Sequence, residues 1–420
     1  LLPTLLHPDP ERVLVIGLGT GQTAGWAAVD AAEVVGTSGQ NTESTDLGKA
    51  EVAMATIQRL PALMGEVDVL KAIQMLPGIQ SAGEGNSGFY VRGGGPDQNL
   101  LLLDNAAIYN ASHLFGFFSV FNADAISSVE VYKGSMPARF GGRVSSVLDL
   151  GLKEGNRKTF KGSGGIGLIS SRLTLEGPVK KGVSSFIVSG RRTYIDVLTR
   201  PFVETTQAAG SGYYFYDLNA KYNHRFSDRD EVFISSYFGR DVFSFNSADA
   251  GFGASIPWGN AMVSTRWNHV VNDKMFLNVN ASYSNYDFAF ESGQDDFLFG
   301  FESGVVDWTQ KAQLSWFPNL RHEVRGGVDH VFHKFVPTSF FFRQGDEDFD
   351  FGEAAVAYSH ESGAFLEDIM DVTENLRVNA GIRRSDFRHV GPFTRIVPGE
   401  NLLSPADTLQ YGSGDLVKSY

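Results

Sequence analysis

The chain has 420 residues and a net charge of −13, and it contains no Cys, 33 Phe, 14 Tyr and 47 Gly. The acidic balance argues against nucleic acid as a partner, because phosphate binding needs clustered Lys and Arg. The absence of Cys excludes disulfides and thiolate metal sites. The aromatic and glycine content favours strands and turns over helix bundles.

The first forty residues form an atypical segment and linker. The stretch VLVIGLGTGQTAGWAA joins a buried-type strand to Gly17, Gly19 and Gly21 and then to an Ala-rich helix. It resembles motif I of spermidine-synthase-like, S-adenosylmethionine-type folds. Such a site needs a second strand ending in an acidic residue about 20 residues further on, and neither Asp30 nor Glu33 follows one. We therefore interpret the segment as a chimeric join or a truncated remnant without chemistry, and a soluble S-adenosylmethionine-type transferase stays open as an alternative.

Residues 41–155 mix short helical and strand signals. In LPALMGEVDVLKAIQMLPGI, Leu70, Ile73 and Leu76 recur at helical spacing, and a proline ends the pattern. NLLLLD predicts a strand buried on both faces, followed by a turn at Asn105, a residue type that tolerates positive φ. VEVY predicts a further strand.

From residue 156 onward, segments that alternate with period 2 are separated by turns. No run of 18 apolar residues occurs, so no transmembrane helix is predicted, whereas a membrane β-barrel would show only short alternating segments. Short polar turns are predicted at 178–182, 226–231, 271–274, 317–322 and 371–376. Long loops are predicted near 199–211, 243–259, 291–303 and 338–352. Aromatic residues crowd the predicted strand ends, as interfacial girdles would: Tyr213, Tyr214, Phe215, Tyr216, Trp308, Trp316 and Phe317.

Short turns on one side and long loops on the other are typical of an outer-membrane barrel. A water-soluble β-sandwich or propeller is the alternative, although a propeller blade would hold four short strands in the same span. Counting around the turns gives about ten strands, too few to close such a barrel without unpaired edges. The N-terminal LLPTLLHPDPERV lacks an initiator Met and a signal-type cleavage site. The sequence is therefore expected to be a fragment of a larger barrel protein.

The stretches SGFYVRGGGPDQNLLLLDNAAIYN and HLFGFFSVFNADAISSVEVYKGSMPARFGGRVSSVLDL resemble the plug domain of a TonB-dependent receptor of the Bacteroidetes type. GGIGLISSRLTLEGP and SFIVSGRRTYIDVL resemble the first barrel strands of the same family. The fold class that this implies is mainly β. A small α/β plug at 41–155 would precede an incomplete antiparallel transmembrane β-barrel at 156–420, with about 10 of an expected 22 strands.

The resemblance also assigns a structural motif to the plug. Arg92, Asp104 and Arg139 are expected to hold the plug fold or its barrel contacts, because buried charges are normally paired, and direct ligand contact is the alternative. The motif residues are Arg92, Gly93, Gly94, Asp104, Lys133, Gly134, Gly141 and Gly142.

The implied function is that of an outer-membrane transporter and not of an enzyme. Such a transporter needs neither a cofactor nor a metal. It would bind an extracellular ligand and import it by energy-coupled plug remodelling. Ligand contacts are expected in the plug apex loop at Tyr109, His113, Phe115 and Phe117, with plug–barrel packing as the alternative role. A surface receptor without transport remains a further alternative.

The implied partners are a TonB-type energising complex of the inner membrane, outer-membrane lipid and a surface lipoprotein. The energising complex would grip a TonB box, a short extended segment, by strand pairing. The candidate lies in AEVVGTS and comprises Glu33, Val34, Val35 and Thr37.

Overall fold

The computed structural model describes residues 48–60, 66–83, 87–247, 249–345, 347–350, 356–373, 376–398 and 405–417. The atypical segment 1–40, with its three glycines, lies outside the described residues. So do the TonB-box candidates Glu33, Val34, Val35 and Thr37.

The N-terminal part of the described chain folds as a small α/β unit, the plug. Its main sheet has the order β1-β8-β9-β4-β5, in which β4 and β9 run parallel. The two helices are α1 (Met54–Arg59) and α2 (Val69–Gln74). The strands are β1 (Lys49–Glu51), β2 (Ile79–Ser81), β3 (Phe89–Val91), β4 (Asn99–Leu103), β5 (Ala106–Ala107), β6 (Ser112–His113), β7 (Phe118–Ser119), β8 (Ile126–Lys133) and β9 (Ser146–Leu152).

Helix α2 confirms the helical spacing found in the sequence. Asp68 caps it by accepting a hydrogen bond from the backbone N–H of Lys71 at 3.0 Å. Leu70, Ile73 and Leu76 are all buried in the plug core. Strand β4 differs from its prediction, because its three central leucines are only half-buried while its two end residues are buried.

The second unit is a twelve-stranded antiparallel sheet that follows chain order from β10 to β21, with the short β19 pairing on β18. The helix α3 (Ile195–Val203) joins β12 to β13. The strands are β10 (Lys161–Ile166), β11 (Ser170–Lys180), β12 (Ser184–Thr193), β13 (Gly212–Arg225), β14 (Asp230–Ser247), β15 (Phe252–Asn272), β16 (Met275–Gln294), β17 (Phe297–Asn319), β18 (His322–Gln344), β19 (Glu347–Asp350), β20 (Ala357–Thr373) and β21 (Leu376–Val390). A separate hairpin consists of β22 (Phe393–Pro398) and β23 (Pro405–Tyr411).

The short turns lie where the sequence predicts them, but the described parts of three of the four predicted long loops are mostly strand. The regions 243–259, 291–303 and 338–352 are largely strand. Their Gly, Asp and Ser content is typical of loops, yet their aromatic residues continue the period-2 pattern of the strands below. In 199–211 the chain completes α3 and then turns. The Gly-rich β10 and the four-residue β19 account for the two strands beyond the expected ten.

The large sheet is polar on the face that surrounds the plug and apolar on the opposite face. Along β13, the odd-numbered residues from Tyr213 to Asn223 are buried and include Asp217, whereas Leu218 on the other face is exposed. This is the reverse of a water-soluble sandwich, whose inner faces are apolar, and it matches a barrel whose outer band meets lipid. Among the described helices, none is long and apolar enough to cross a membrane.

The faces also correct part of the predicted aromatic girdle. Tyr213 and Phe215 point inward and are buried, at 5% and 0% exposure. Tyr214 and Tyr216 alternate with them and therefore face outward. Trp308 and Trp316 are exposed on the outward face of β17, as a girdle requires.

Candidate functional site: the plug apex and its seat in the barrel

Asp104 ties the end of β4 to the barrel. It lies with Asn105 in a turn where both residues have positive φ, at 45° and 68°. Its carboxylate accepts hydrogen bonds from the Leu152 backbone at 3.1 Å and from the Ser235 hydroxyl at 2.5 Å, and it lies 2.8 Å from Lys221 Nζ. Asp104 and Lys221 are both buried. A plug carboxylate is thus neutralised by a cation of β13.

Arg139 makes a second attachment, on the far side of the described sheet. Its guanidinium donates to Glu367 Oε1 on β20 at 3.1 Å and to the Tyr132 hydroxyl at 3.0 Å. It also lies over the ring of Phe140, with 5.0 Å between the guanidinium carbon and the ring centroid. Glu367 is 1% exposed and lies 3.4 Å from Arg325 as well. The barrel carboxylate is therefore shared between a plug cation and a barrel cation.

Arg92, Gly93 and Gly134 lie together directly after the ends of β3 and β8. Gly93 and Gly134 have φ of 89° and 88°, values that L side chains rarely adopt. A Cβ on Gly134 would stand 2.6 Å from Arg92 Nη1, so the glycine leaves room for the guanidinium. Lys133 donates to the Pro77 carbonyl at 2.9 Å. Burial, and then the nearby Arg92 charge, lower the pKa of Lys133.

The other motif glycines lie where neighbouring chains approach closely. Gly94 faces Ser145, whose hydroxyl would be 2.3 Å from an added Cβ. Gly141 faces Arg383 and Gly142 faces Glu361. These two contacts place the end of the plug against β20 and β21.

The plug apex, residues 109–118, touches the barrel through Tyr109. The Tyr109 hydroxyl donates a short hydrogen bond to Asp307 Oδ2 on β17. Burial, and then the Asp307 carboxylate, raise the pKa of Tyr109 far above its usual range. Next along the apex, Asn110 is held by the Asn260 side chain, which donates to its carbonyl at 3.2 Å.

His113 is sealed inside the plug–barrel interface at 1% exposure. Its Nδ1 lies 2.6 Å from Asp241 Oδ2, and its Nε2 lies 3.4 Å from Asp217 Oδ2, an ion-pair distance without hydrogen-bond geometry. The ring stacks on Phe215 at 4.0 Å. Burial disfavours the charged ring, but the Asp241 and Asp217 carboxylates outweigh it and raise the pKa of His113.

Arg191 of β12 connects this buried network to two further plug residues, Glu66 and Ser119. It donates to Asp217 Oδ2 at 2.8 Å, lies 3.3 Å from Glu66 and donates to the Ser119 carbonyl at 2.9 Å. The sequence reasoning did not single out Arg191, Asp217 or Glu66. Period-2 alternation assigns Arg191 and Asp217 to the inward face, but it does not reveal which plug residues lie opposite.

Phe115 and Phe117 are the exposed members of the predicted ligand set, at 54% and 47% exposure. Phe115 has a φ of 53°, and its ring lies 4.9 Å from Trp258 and 5.5 Å from Phe243. A non-glycine residue held in this conformation is strained, a feature that clusters at functional sites. The structure thus places Tyr109 and His113 in plug–barrel contacts and leaves two phenylalanines open. Ligand contact by any of the four stays a prediction.

Comparison with known proteins assigns the smaller unit. Residues 49–146 match the family model described as the TonB-dependent receptor plug domain. Residues 49–146 are a TonB-dependent receptor plug. The contacts described above between this unit and the large sheet are therefore contacts of a plug with the sheet around it.

Solved structures with the same fold include three outer-membrane proteins. The ferric enterobactin receptor PfeA of Pseudomonas aeruginosa, as a mutant, has a TM-score of 0.59 and 16% identity over 81% of this chain and 57% of its own. The siderophore receptor PirA of Acinetobacter baumannii also has a TM-score of 0.59 and 16% identity, over 83% of this chain and 57% of its own. The outer membrane transporter YddB of Escherichia coli has a TM-score of 0.59 and 12% identity, over 81% and 56%.

At these identities the likeness shows the fold. The chain spans a little under three-fifths of the length of these solved structures. Among the curated proteins compared, none matches the chain. The plug, together with the fold of outer-membrane transporters, places the chain in the cell outer membrane.

Proposed function

We propose that the chain is part of a TonB-dependent transporter that binds an extracellular ligand above the plug apex and imports it by moving the plug. A TonB-type complex of the inner membrane would supply the energy. The observation that carries the proposal is the character of the plug–barrel interface, which is fastened by buried ionic contacts at Asp104, His113 and Arg139.

Such an interface can hold a plug in place and still release it. Each ion pair is geometrically specific and expensive to break singly, because the remaining charge stays buried. Water that enters as the plug moves can replace these hydrogen bonds, whereas it cannot replace apolar contacts. The proposal assigns no reaction to the chain.

Cysteine labelling tests plug movement without knowledge of the ligand. Asn122 of the plug donates to Ser189 of β12 at 3.0 Å and is buried. Because these 420 residues contain no Cys, the thiol of an Asn122→Cys variant is the one label site within them. We expect a maleimide to label it faster in cells with an energised TonB complex than in cells lacking TonB.

Phe160→Cys is the matched control, since Phe160 is 70% exposed and should be labelled equally in both strains. Equal labelling of Asn122→Cys in both strains would contradict transport by plug movement. That result would favour a surface receptor without transport.

A further inference from the structure

The inward face of the barrel above the plug apex carries a continuous aromatic surface. We call it the aromatic wall and define it by six residues on three adjacent strands. They are Phe288 and Phe290 of β16, Phe299 and Phe301 of β17, and Phe340 and Phe342 of β18.

Strand register fixes the side on which the aromatic wall lies. Tyr286 of β16 contacts Asn110 of the plug, and Asp307 of β17 contacts Tyr109, so both point inward. Residues two apart on a strand share a face, which places Phe288, Phe290, Phe299 and Phe301 on the same side. Phe340 pairs directly with Phe301, and Phe342 with Phe299. The wall therefore faces the lumen, and a lipid girdle would face the other way.

The rings form one contiguous surface that reaches the plug apex. Ring centroids lie 5.3 Å apart for Phe290 and Phe301, 5.8 Å for Phe301 and Phe340, and 4.8 Å for Phe299 and Phe342. Phe288 is packed against the cluster that contains Trp258, and Trp258 touches the exposed Phe115. At the upper end, Phe299 and Phe342 help to line an open cleft of about 450 Å³ that also includes Gln294.

Charge is absent from the wall positions of β16, β17 and β18, and one inward carboxylate stands beside the wall, Glu347 of the short β19, which pairs with Gln344. Within the described residues 286–305 and 335–344, each charged side chain on a strand occupies an outward position. These residues are Asp287, Glu291, Glu302 and Arg343, which pair with Gly304, Gly300, Ala289 and Leu298 at the alternate register positions. The remaining charges there, Asp295 and Asp296, lie in the turn between β16 and β17. In a chain of net charge −13, the carboxylates of β16 and β17 within these ranges stand on the outward face, opposite the six rings of the wall.

We infer that the aromatic wall binds an uncharged ligand that presents flat apolar ring faces. This inference rests on the proposed function and names the class of its ligand. Ring faces gain offset or edge contacts with the phenylalanines beyond simple area burial. A charged ligand would lose water against a surface that offers no counter-charge, which is unfavourable. Neutral polar groups such as Gln294 would orient the ligand by hydrogen bonds.

Matched probes test the inference in outer-membrane vesicles that contain the receptor. 4-Nitrophenyl β-glucoside is neutral, and 4-nitrophenyl phosphate carries the same ring with a dianionic group. We expect saturable binding of the glucoside in equilibrium dialysis and at least about tenfold weaker binding of the phosphate. Methyl β-glucoside as competitor separates the two sources of a ring face: competition identifies the sugar ring, and no competition identifies the aromatic ring.

Two neighbouring residues give a matched pair of variants. Phe342→Ser removes a wall ring and should weaken glucoside binding about fivefold. Phe341→Ser alters the adjacent residue, which pairs with Gly300 on the outward face, and should leave binding unchanged. Phe342→Lys should shift the preference toward the phosphate probe.

Three results would overturn the inference: no binding of the glucoside, equal or tighter binding of the phosphate by the unaltered receptor, or equal losses in Phe341→Ser and Phe342→Ser. The vesicles contain no energised TonB complex, so the outcome is independent of transport. Selective glucoside binding combined with equal labelling of Asn122→Cys in the two strains would keep the inference and reject the proposed transport.

Discussion

At the residue scale, the attachment of the plug apex to the barrel depends on the charge of His113. The ring faces Asp241 and Asp217 from the barrel, and the other charged and titratable groups of this network include Arg191, the Glu66 that Arg191 also contacts, and the Tyr213 and Tyr237 hydroxyls. Three carboxylates, those of Asp217, Asp241 and Glu66, share one permanent cation, so the protonated ring brings the site closer to charge balance. The charge state of one plug side chain therefore affects how firmly the apex is attached.

This balance predicts a pH dependence with a definite sign. A pKa raised by folding contributes stability that is fully present below the unfolded value of about 6.5 and is lost as the pH rises through the folded value. We expect amide hydrogen exchange of residues 112–119 to accelerate as the pH rises above 6.5, after correction for the intrinsic pH dependence of exchange. In His113→Asn the corrected rates should be fast at every pH, because about 3–5 kcal/mol is lost when a buried pair is broken. Identical corrected pH profiles for the two proteins would refute the role given to His113.

At the scale of elements, the sequence predicts where the hairpins lie, but it does not predict how far the strands continue above the plug. Alternation and short polar turns located the hairpins, because each turn must satisfy the same local chemistry wherever it occurs. The upper halves of β16, β17 and β18 were assigned to loops, because Asp, Gly and Ser between strands usually mark turns. Their inward phenylalanines continue the alternation, and only the pairing of whole strands makes this visible. Likewise, Arg191 could be placed on an inward face, whereas its partner Glu66 is 125 residues away and no local pattern connects them.

The outward face of a single strand tests the membrane assignment. Leu218 of β13 is 47% exposed and lies between the short turn after Arg225 and the upper end of the strand. Leu218→Arg should cost about 2–4 kcal/mol of barrel stability if this face meets the middle of a bilayer. Urea unfolding in lipid vesicles measures the change. Phe226→Arg, an equal change at an exposed turn position, should cost about 0–1 kcal/mol. Equal costs would indicate that the outward face of β13 does not contact lipid.

At the scale of the whole molecule, polar attachments hold the plug at well-separated points, in addition to the apolar contacts that Tyr237 and Met262 of the barrel make with the plug core. Asp104 is bound by Lys221 of β13, and Arg139 is bound by Glu367 of β20. These two strands are six neighbours apart in the sheet, which corresponds to about 29 Å along it at roughly 4.8 Å per strand. The two attachments share no hydrogen-bonded or ion-paired residue. The plug can therefore loosen at one of them while the other stays closed.

Additivity of substitutions tests this independence. Asp104→Asn and Glu367→Gln should destabilise the plug by amounts that add within about 0.5 kcal/mol, because distant sites without shared partners do not couple. Asp104→Asn and Lys221→Met lie in one attachment, so the combined loss should fall short of the sum by about 0.5–3 kcal/mol. Limited proteolysis of the plug over a urea series gives each free energy, with the unaltered receptor as reference. A large deviation from additivity for the distant pair would mean that the attachments open together, and the plug would then leave the barrel as one cooperative unit.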